Sequence, residues 1–122
     1  MSHGEEKDVG MFPDSAEGRK EYPMYRGLLK YFPDALAAVA HLSWVCNEQH
    51  NPGTEVHWSR EKSSDHHDCI VRHLLECGKI DDDGQRHSVK MAWRALAIAQ
   101  LEIEQDKNTP RAGGHQWIQC TS

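Results

Sequence analysis

The sequence predicts an all-α fold, and three observations carry that expectation. Apolar residues recur at helical spacing in three segments, roughly 35–49, 64–77 and 85–105. No run alternates apolar and polar residues for long enough to make a useful strand. Turn signals separate the periodic segments: Asn51-Pro52-Gly53 after the first, and Gly78 with Asp83-Gly84 after the second.

The totals set bounds. At 122 residues the chain is one domain. Its apolar fraction is 38%, so the ordered core is expected to be shorter than the chain. The expected division is a flexible arm over 1–20, a helical domain over 21–105 and an irregular tail over 106–122. A formal net charge of −5 argues against nucleic-acid binding through bulk positive field. It leaves anionic substrates open, because a bound cation can supply positive charge locally. No apolar run approaches a membrane span, and no apolar leader follows the first residues. A cytoplasmic location with reduced thiols is therefore expected for Cys46, Cys69, Cys77 and Cys120. With no CxxC pair, a zinc site built from them is not expected.

Each element has a local reason. Glu21–Pro33 holds all three tyrosines and is broken by Pro23, Gly27 and Pro33, which suits a short helical turn packing aromatics. Asp34 is placed to cap the first long helix. There Ala35, Ala38, Leu42 and Val45 form an apolar stripe, widened by Leu36, Val39 and Cys46. Glu48 falls in its last turn, where the helix dipole disfavours a carboxylate unless a cation offsets it. Ser64 is expected to cap the second helix, with Ile70, Val71, Leu74 and Leu75 buried and Asp65, Asp68 and Arg72 on the opposite side. Gly78 is expected to end it. The Asp81-Asp82-Asp83-Gly84 run lacks the end ligands of a calcium loop and reads as a turn. In the third helix Val89, Ala92, Trp93, Leu96, Ala99 and Ile103 form one stripe. His87, Lys90 and Arg94 share another face, as solvated charge or as a phosphate clamp. Trp117 and Ile118 are candidates for docking the tail. Wide apolar faces in so short a chain suggest a bundle completed by oligomerisation, as a homodimer or homotetramer.

The chemistry concentrates in Asn47–Glu76, a polar stretch lying between two amphipathic helices. No glycine-rich phosphate loop and no nucleophile elbow is present. Asp65 and Asp68, one turn apart, repel each other unless a cation bridges them, and paired carboxylates hold hard cations. One reading therefore places magnesium or manganese on Glu48, Asp65 and Asp68, where the ion would neutralise a triphosphate and activate water. Glu76 is a further candidate ligand. Lys62, Arg72, Lys90 and Arg94 are candidate phosphate contacts. A second reading takes His67-Asp68 as the pair of an HD-type phosphohydrolase, with His41 or His50 before it and Asp81 or Asp83 after it. A third is a non-enzymatic helical interaction module.

Tyr31-Phe32-Pro33, Asn47-Glu48-Gln49-His50-Asn51-Pro52-Gly53, His57-Trp58, Asp65-His66, Asp68-Cys69, Arg72-His73-Leu74, Arg86-His87 and Ala92-Trp93-Arg94-Ala95-Leu96 give the span Tyr22–Glu104 a family likeness. It resembles the dATP/dGTP diphosphohydrolase domains of phages and bacteria, distant relatives of the MazG-type nucleoside triphosphate pyrophosphohydrolases. Within that group it is most similar to the phage (d)GTP diphosphohydrolases of the MazZ type. The general pattern has two adjacent glutamates and a third three residues on; here it reads Asn47-Glu48…Asn51. The second half, a glutamate and an aspartate three apart, reads Asp65…Asp68. The resemblance implies a MazG-like helical bundle with two or more Mg2+ or Mn2+ ions. It implies hydrolysis of a purine (deoxy)nucleoside triphosphate, dGTP or GTP first, to the monophosphate and pyrophosphate. For the phage branch it implies supply of 2-aminoadenine nucleotide synthesis in the host cytoplasm.

Overall fold

The computed structural model describes residues 10–107 and 114–115. The expectations for Trp117, Ile118 and Cys120 lie outside the described residues. Within them the protein is mostly helical: α1 (Ala16–Arg19), a π-helical turn (Tyr25–Leu29), α2 (Pro33–His50), α3 (His66–Leu75) and α4 (His87–Lys107). Two short strands, β1 (Trp58–Ser59) and β2 (Gly114–His115), pair in parallel. The chain divides into two compact units, one running up to Pro33 and one starting at Asp34. Residues 21–33 therefore group with the N-terminal unit rather than with the helical domain.

In the first unit Ser15 caps α1, its hydroxyl accepting from the Gly18 amide at 2.9 Å. Arg19 Nε donates to the Pro13 carbonyl at 2.8 Å, closing the same turn. The aromatic turn expected at 21–33 is present, but Tyr25, Tyr31 and Phe32 are exposed in it.

In the second unit Pro33 opens α2, a position where its missing N–H costs nothing. Asp34 is thus inside the first turn rather than the cap. The core forms where α2 meets the start of α4. Leu42, Cys46 and Val89 are buried, with Ala38, Val39 and Trp93 packed around them. Trp93 Nε1 donates to Ser43 Oγ at 3.1 Å and ties the two helices. Cys46 is disulfide-bonded, so the expectation of reduced thiols fails there; Cys69 and Cys77 are free. No helix among the described residues is long and apolar enough to cross a membrane.

Helix α3 packs along α4, and here the expectation reverses. The residues that α3 buries are His66, Cys69 and His73, while Val71, Leu74 and Leu75 are 55%, 54% and 78% exposed. The reason lies in α4, whose inward face carries Lys90 and Arg94, each 2% exposed. Buried donors need acceptors, and the apolar stripe of α3 has none. His66, on the inward side of α3, supplies one for Arg94, while Lys90 finds Asp81 and Asp83 in the turn between the helices; Asp65, Asp68 and Arg72 stay exposed, as expected. The α4 stripe is split: Val89 is buried, Ala92, Trp93 and Ile103 half-buried, and Leu96 51% exposed, while Ala97, outside the stripe, is buried.

Between α3 and α4 the acidic turn is a compact structural knot. Gly78 at φ 95° and Gly84 at φ 83° take the left-handed conformation that ends α3 and reverses the chain. Ile80 and Arg86 form an antiparallel bridge across it.

Candidate functional site

The site candidates occupy the end of α2, the 51–65 segment and the paired faces of α3 and α4. Asn47 anchors the first of these. It is 5% exposed, and its Nδ2 donates to the Thr54 carbonyl at 3.0 Å and to Thr54 Oγ1 at 3.3 Å. An amide does this and a carboxylate cannot, because the contact needs a donor. Asn47→Asp should place an anion against the Thr54 carbonyl and cost about 1–3 kcal/mol, read as a lower urea midpoint with an unchanged slope. Glu48, next to it, is half-buried.

Asp65 is the N-cap residue of α3, displacing the expected Ser64, yet its side chain makes no capping hydrogen bond. Asp68, in the first turn, is exposed as well. Neither carboxylate has an ion pair or side-chain hydrogen bond among the described residues. Both sit where the helix dipole favours negative charge. Arg72 is exposed, and its Nη2 reaches Cys69 Sγ at 3.6 Å. Lys62 is exposed in the turn before α3.

Two sequence candidates, Glu76 and Lys90, make structural contacts, and a third, Arg94, is buried. Glu76 is the C-cap of α3 and pairs with Lys79 at 3.2 Å. It lies about 12 Å along the helix axis from Asp68 at 1.5 Å per residue, too far to share an ion with it. Lys90 is buried, with Nζ at 2.8 Å from both Asp81 and Asp83. Burial alone would lower its pKa, but the hydrogen bonds and charges of Asp81 and Asp83 outweigh that and raise it. Lys90 therefore holds the acidic turn onto α4, and Asp81 and Asp83 serve the same contact. Arg94 is buried too, and its Nη1 donates to His66 Nδ1 at 2.9 Å. Burial pushes its pKa down, opposed in part by the charges of Cys69 and Asp65.

Sequence reasoning passed over His66, which is 5% exposed and linked to Arg94. Its pKa is lowered by burial first and by Arg94 next, so it is neutral at pH 7. The spacing of His66, Cys69 and His73 at i, i+3 and i+7 was a legible signal for a common face. The next turn adds a second histidine contact, with His73 Nδ1 at 2.9 Å from His87 Nδ1. One ring must donate and the other accept.

Among the described residues no three His, Cys, Asp or Glu side chains converge closely enough to hold a metal ion. Glu48 is thus not gathered with Asp65 and Asp68, and His67-Asp68 is not gathered with His41, His50, Asp81 or Asp83. Magnesium, however, is commonly held by one or two carboxylates with substrate phosphates and water completing its shell. Asp65 and Asp68 fit that mode; an all-protein cage is not formed. No protein-family model, no curated protein and no solved structure matches this chain.

Proposed function

We propose that the protein is a metal-dependent nucleoside triphosphate pyrophosphohydrolase of MazG-like type. The observation that carries this reading is the pair Asp65 and Asp68. Two exposed carboxylates one turn apart have no ion pair or side-chain hydrogen bond among the described residues, and Asp65 is close enough to the buried Arg94 guanidinium to act on it electrostatically. In this proposal Asp65 and Asp68 hold Mg2+ or Mn2+, with Glu48 as a further ligand from the end of α2. The bound cation would neutralise the triphosphate and acidify the attacking water. Lys62 and Arg72, both exposed near these carboxylates in sequence, orient the phosphate chain. Water adds at phosphorus, the bond between the α- and β-phosphates breaks, and the monophosphate and pyrophosphate leave.

The preference for dGTP or GTP, and the supply of 2-aminoadenine nucleotide synthesis in a phage-infected cytoplasm, rest on the family resemblance alone. A turnover panel tests both levels. Each of dGTP, GTP, dATP, dCTP, dTTP and dUTP is incubated with magnesium or manganese and the products are separated. Monophosphate plus pyrophosphate, chiefly from guanine nucleotides, is the expected result. Triphosphate release or stepwise phosphate loss would favour the HD-type chemistry, and no turnover with any metal would favour an interaction module.

A second copy of the chain is the proposed cover for the outward apolar side of α3. Val71, Leu74 and Leu75, with Leu96 of α4 also more than half exposed, form the kind of surface that isolated monomers rarely present. Leu75→Glu should then shift a dimer or tetramer toward monomer in light scattering. A wild-type protein that is already monomeric at micromolar concentration would refute the assignment.

A further inference from the structure

We propose that the buried donor groups of Trp58, Ser59, Ser63, His66 and Arg94 form a seat for a phosphoryl group. The inference rests on the pyrophosphohydrolase reading only for what carries that phosphoryl group, a nucleotide. The seat itself is argued from unmet hydrogen bonds and unmet charge.

Arg94 sets the problem. Its guanidinium is 2% exposed and has no carboxylate within ion-pair distance among the described residues. Its one side-chain hydrogen bond goes to His66 Nδ1, and Nη2 has no partner. A buried cation with no counter-charge closer than Asp65, which acts on it from beyond ion-pair distance, is costly. Water in the site would satisfy the N–H group but not the charge.

The tautomer of His66 follows from the same bond. Arginine only donates, so His66 Nδ1 accepts and the ring proton sits on Nε2. That Nε2–H is itself buried without a partner. Trp58 Nε1, which only donates, is in the same condition, as are the hydroxyls of Ser59 and Ser63. Trp58, His66 and Arg94 share one neighbourhood around the Trp93 ring, and in the sequence Ser59 follows Trp58 and Ser63 precedes His66 by three residues. Trp58 meets it edge-on at 5.7 Å, His66 lies 6.3 Å away, and the Arg94 guanidinium lies over it at 5.6 Å.

The unmet set is thus three N–H donors, two hydroxyls and one positive charge, with no obligate acceptor. Such a set rejects cations and gains nothing from a neutral apolar ligand. It suits a group with several anionic oxygens, and a phosphoryl group has three. Native folds leave few buried polar atoms unsatisfied, and a concentration of them around one cation calls for a ligand. The 60–65 segment carries neither helix nor strand and includes Ser63. It ends at Asp65, so the phosphoryl seat and the proposed cation site adjoin.

The test is calorimetric titration of inorganic pyrophosphate into the full chain in EDTA, so that no divalent ion contributes. Wild-type protein should bind saturably. Trp58→Phe and Ser63→Ala remove one donor each with little change of shape, and each should weaken binding about tenfold. Arg94→Gln should abolish it, with helicity followed by circular dichroism. Binding unchanged in Trp58→Phe and Ser63→Ala, or no binding by wild-type protein, would overturn the proposal. The two readings separate cleanly. Donor-dependent pyrophosphate binding without turnover of any nucleotide would sink the enzyme and keep the seat. Turnover with donor-independent binding would do the reverse.

Discussion

Lys90→Met should be among the most destabilising single changes in the chain. The substitution keeps the apolar stem of the side chain, one atom shorter, and removes its charge and its N–H donors. It takes from Asp81 and Asp83, both partly buried, the ammonium that lies 2.8 Å from each and leaves only His87, 3.9 Å from Asp81, beside them. Breaking a buried ion pair from one side costs about 3–5 kcal/mol, a large share of the roughly 5–15 kcal/mol that holds a small domain folded. The thermal midpoint should fall by roughly 10 °C or more. Adding Asp81→Asn and Asp83→Asn to Lys90→Met should recover much of the loss, because the amides keep their acceptor oxygens for the Asp82 and Gln85 amides. No recovery would mean that Lys90 acts through packing rather than charge.

The same contact sets an acid limit. The hydrogen bond from Lys90, aided by the Asp82 amide, lowers the Asp81 pKa from 3.8 to about 2. With the folded pKa below the unfolded one, the unfolded chain binds the proton more tightly. The stabilisation is complete above the unfolded pKa of 3.8 and drains away as pH falls toward 2. Lys90, raised above 10.5, contributes stability that is lost as pH rises through its folded value. Urea midpoints across pH 2–5 should fall less steeply in Lys90→Met than in wild-type protein.

Asp65→Asn with Asp68→Asn should abolish turnover and leave the fold intact. Both side chains are exposed and bond to nothing among the described residues, so the stability change should stay within about 0.5 kcal/mol per site. Activity should drop by more than about 100-fold, since even outer residues of metal sites are worth roughly 10–100-fold. The pairing of a normal melting curve with lost pyrophosphate release is the diagnostic result. His67→Ala is the control: a fatal effect there, with Asp65→Asn tolerated, would shift the assignment to the HD-type arrangement. Glu48→Gln carries more information about geometry. Glu48 is not gathered with the two aspartates in this structure, so its loss tests whether substrate or a second copy completes the site.

The helices of the second unit were legible because their causes are local. Apolar spacing, Pro33, the Asn51-Pro52-Gly53 turn and Gly78 act within a few residues of the ends they define. The N-cap of α3 falls one position from the expected Ser64, at Asp65, where no side-chain cap forms to fix it. The exposed aspartates of α3 were legible for the same reason: their one-turn spacing is visible in the chain itself.

The partners of the charged residues were not legible. His87, Lys90 and Arg94 looked equally like solvated charge and a phosphate clamp, and the structure buries all or most of each. What decided it was the acidic turn folding back onto α4, and the inward rotation of His66, Cys69 and His73. Sequence by itself determined that this chain makes amphipathic helices and where their carboxylates lie, because helix periodicity and capping are short-range effects. Tertiary structure alone decided that α3 faces inward with His66, Cys69 and His73. A buried cation must find acceptors wherever the fold brings them, and that requirement overrides the preference of leucine for the interior.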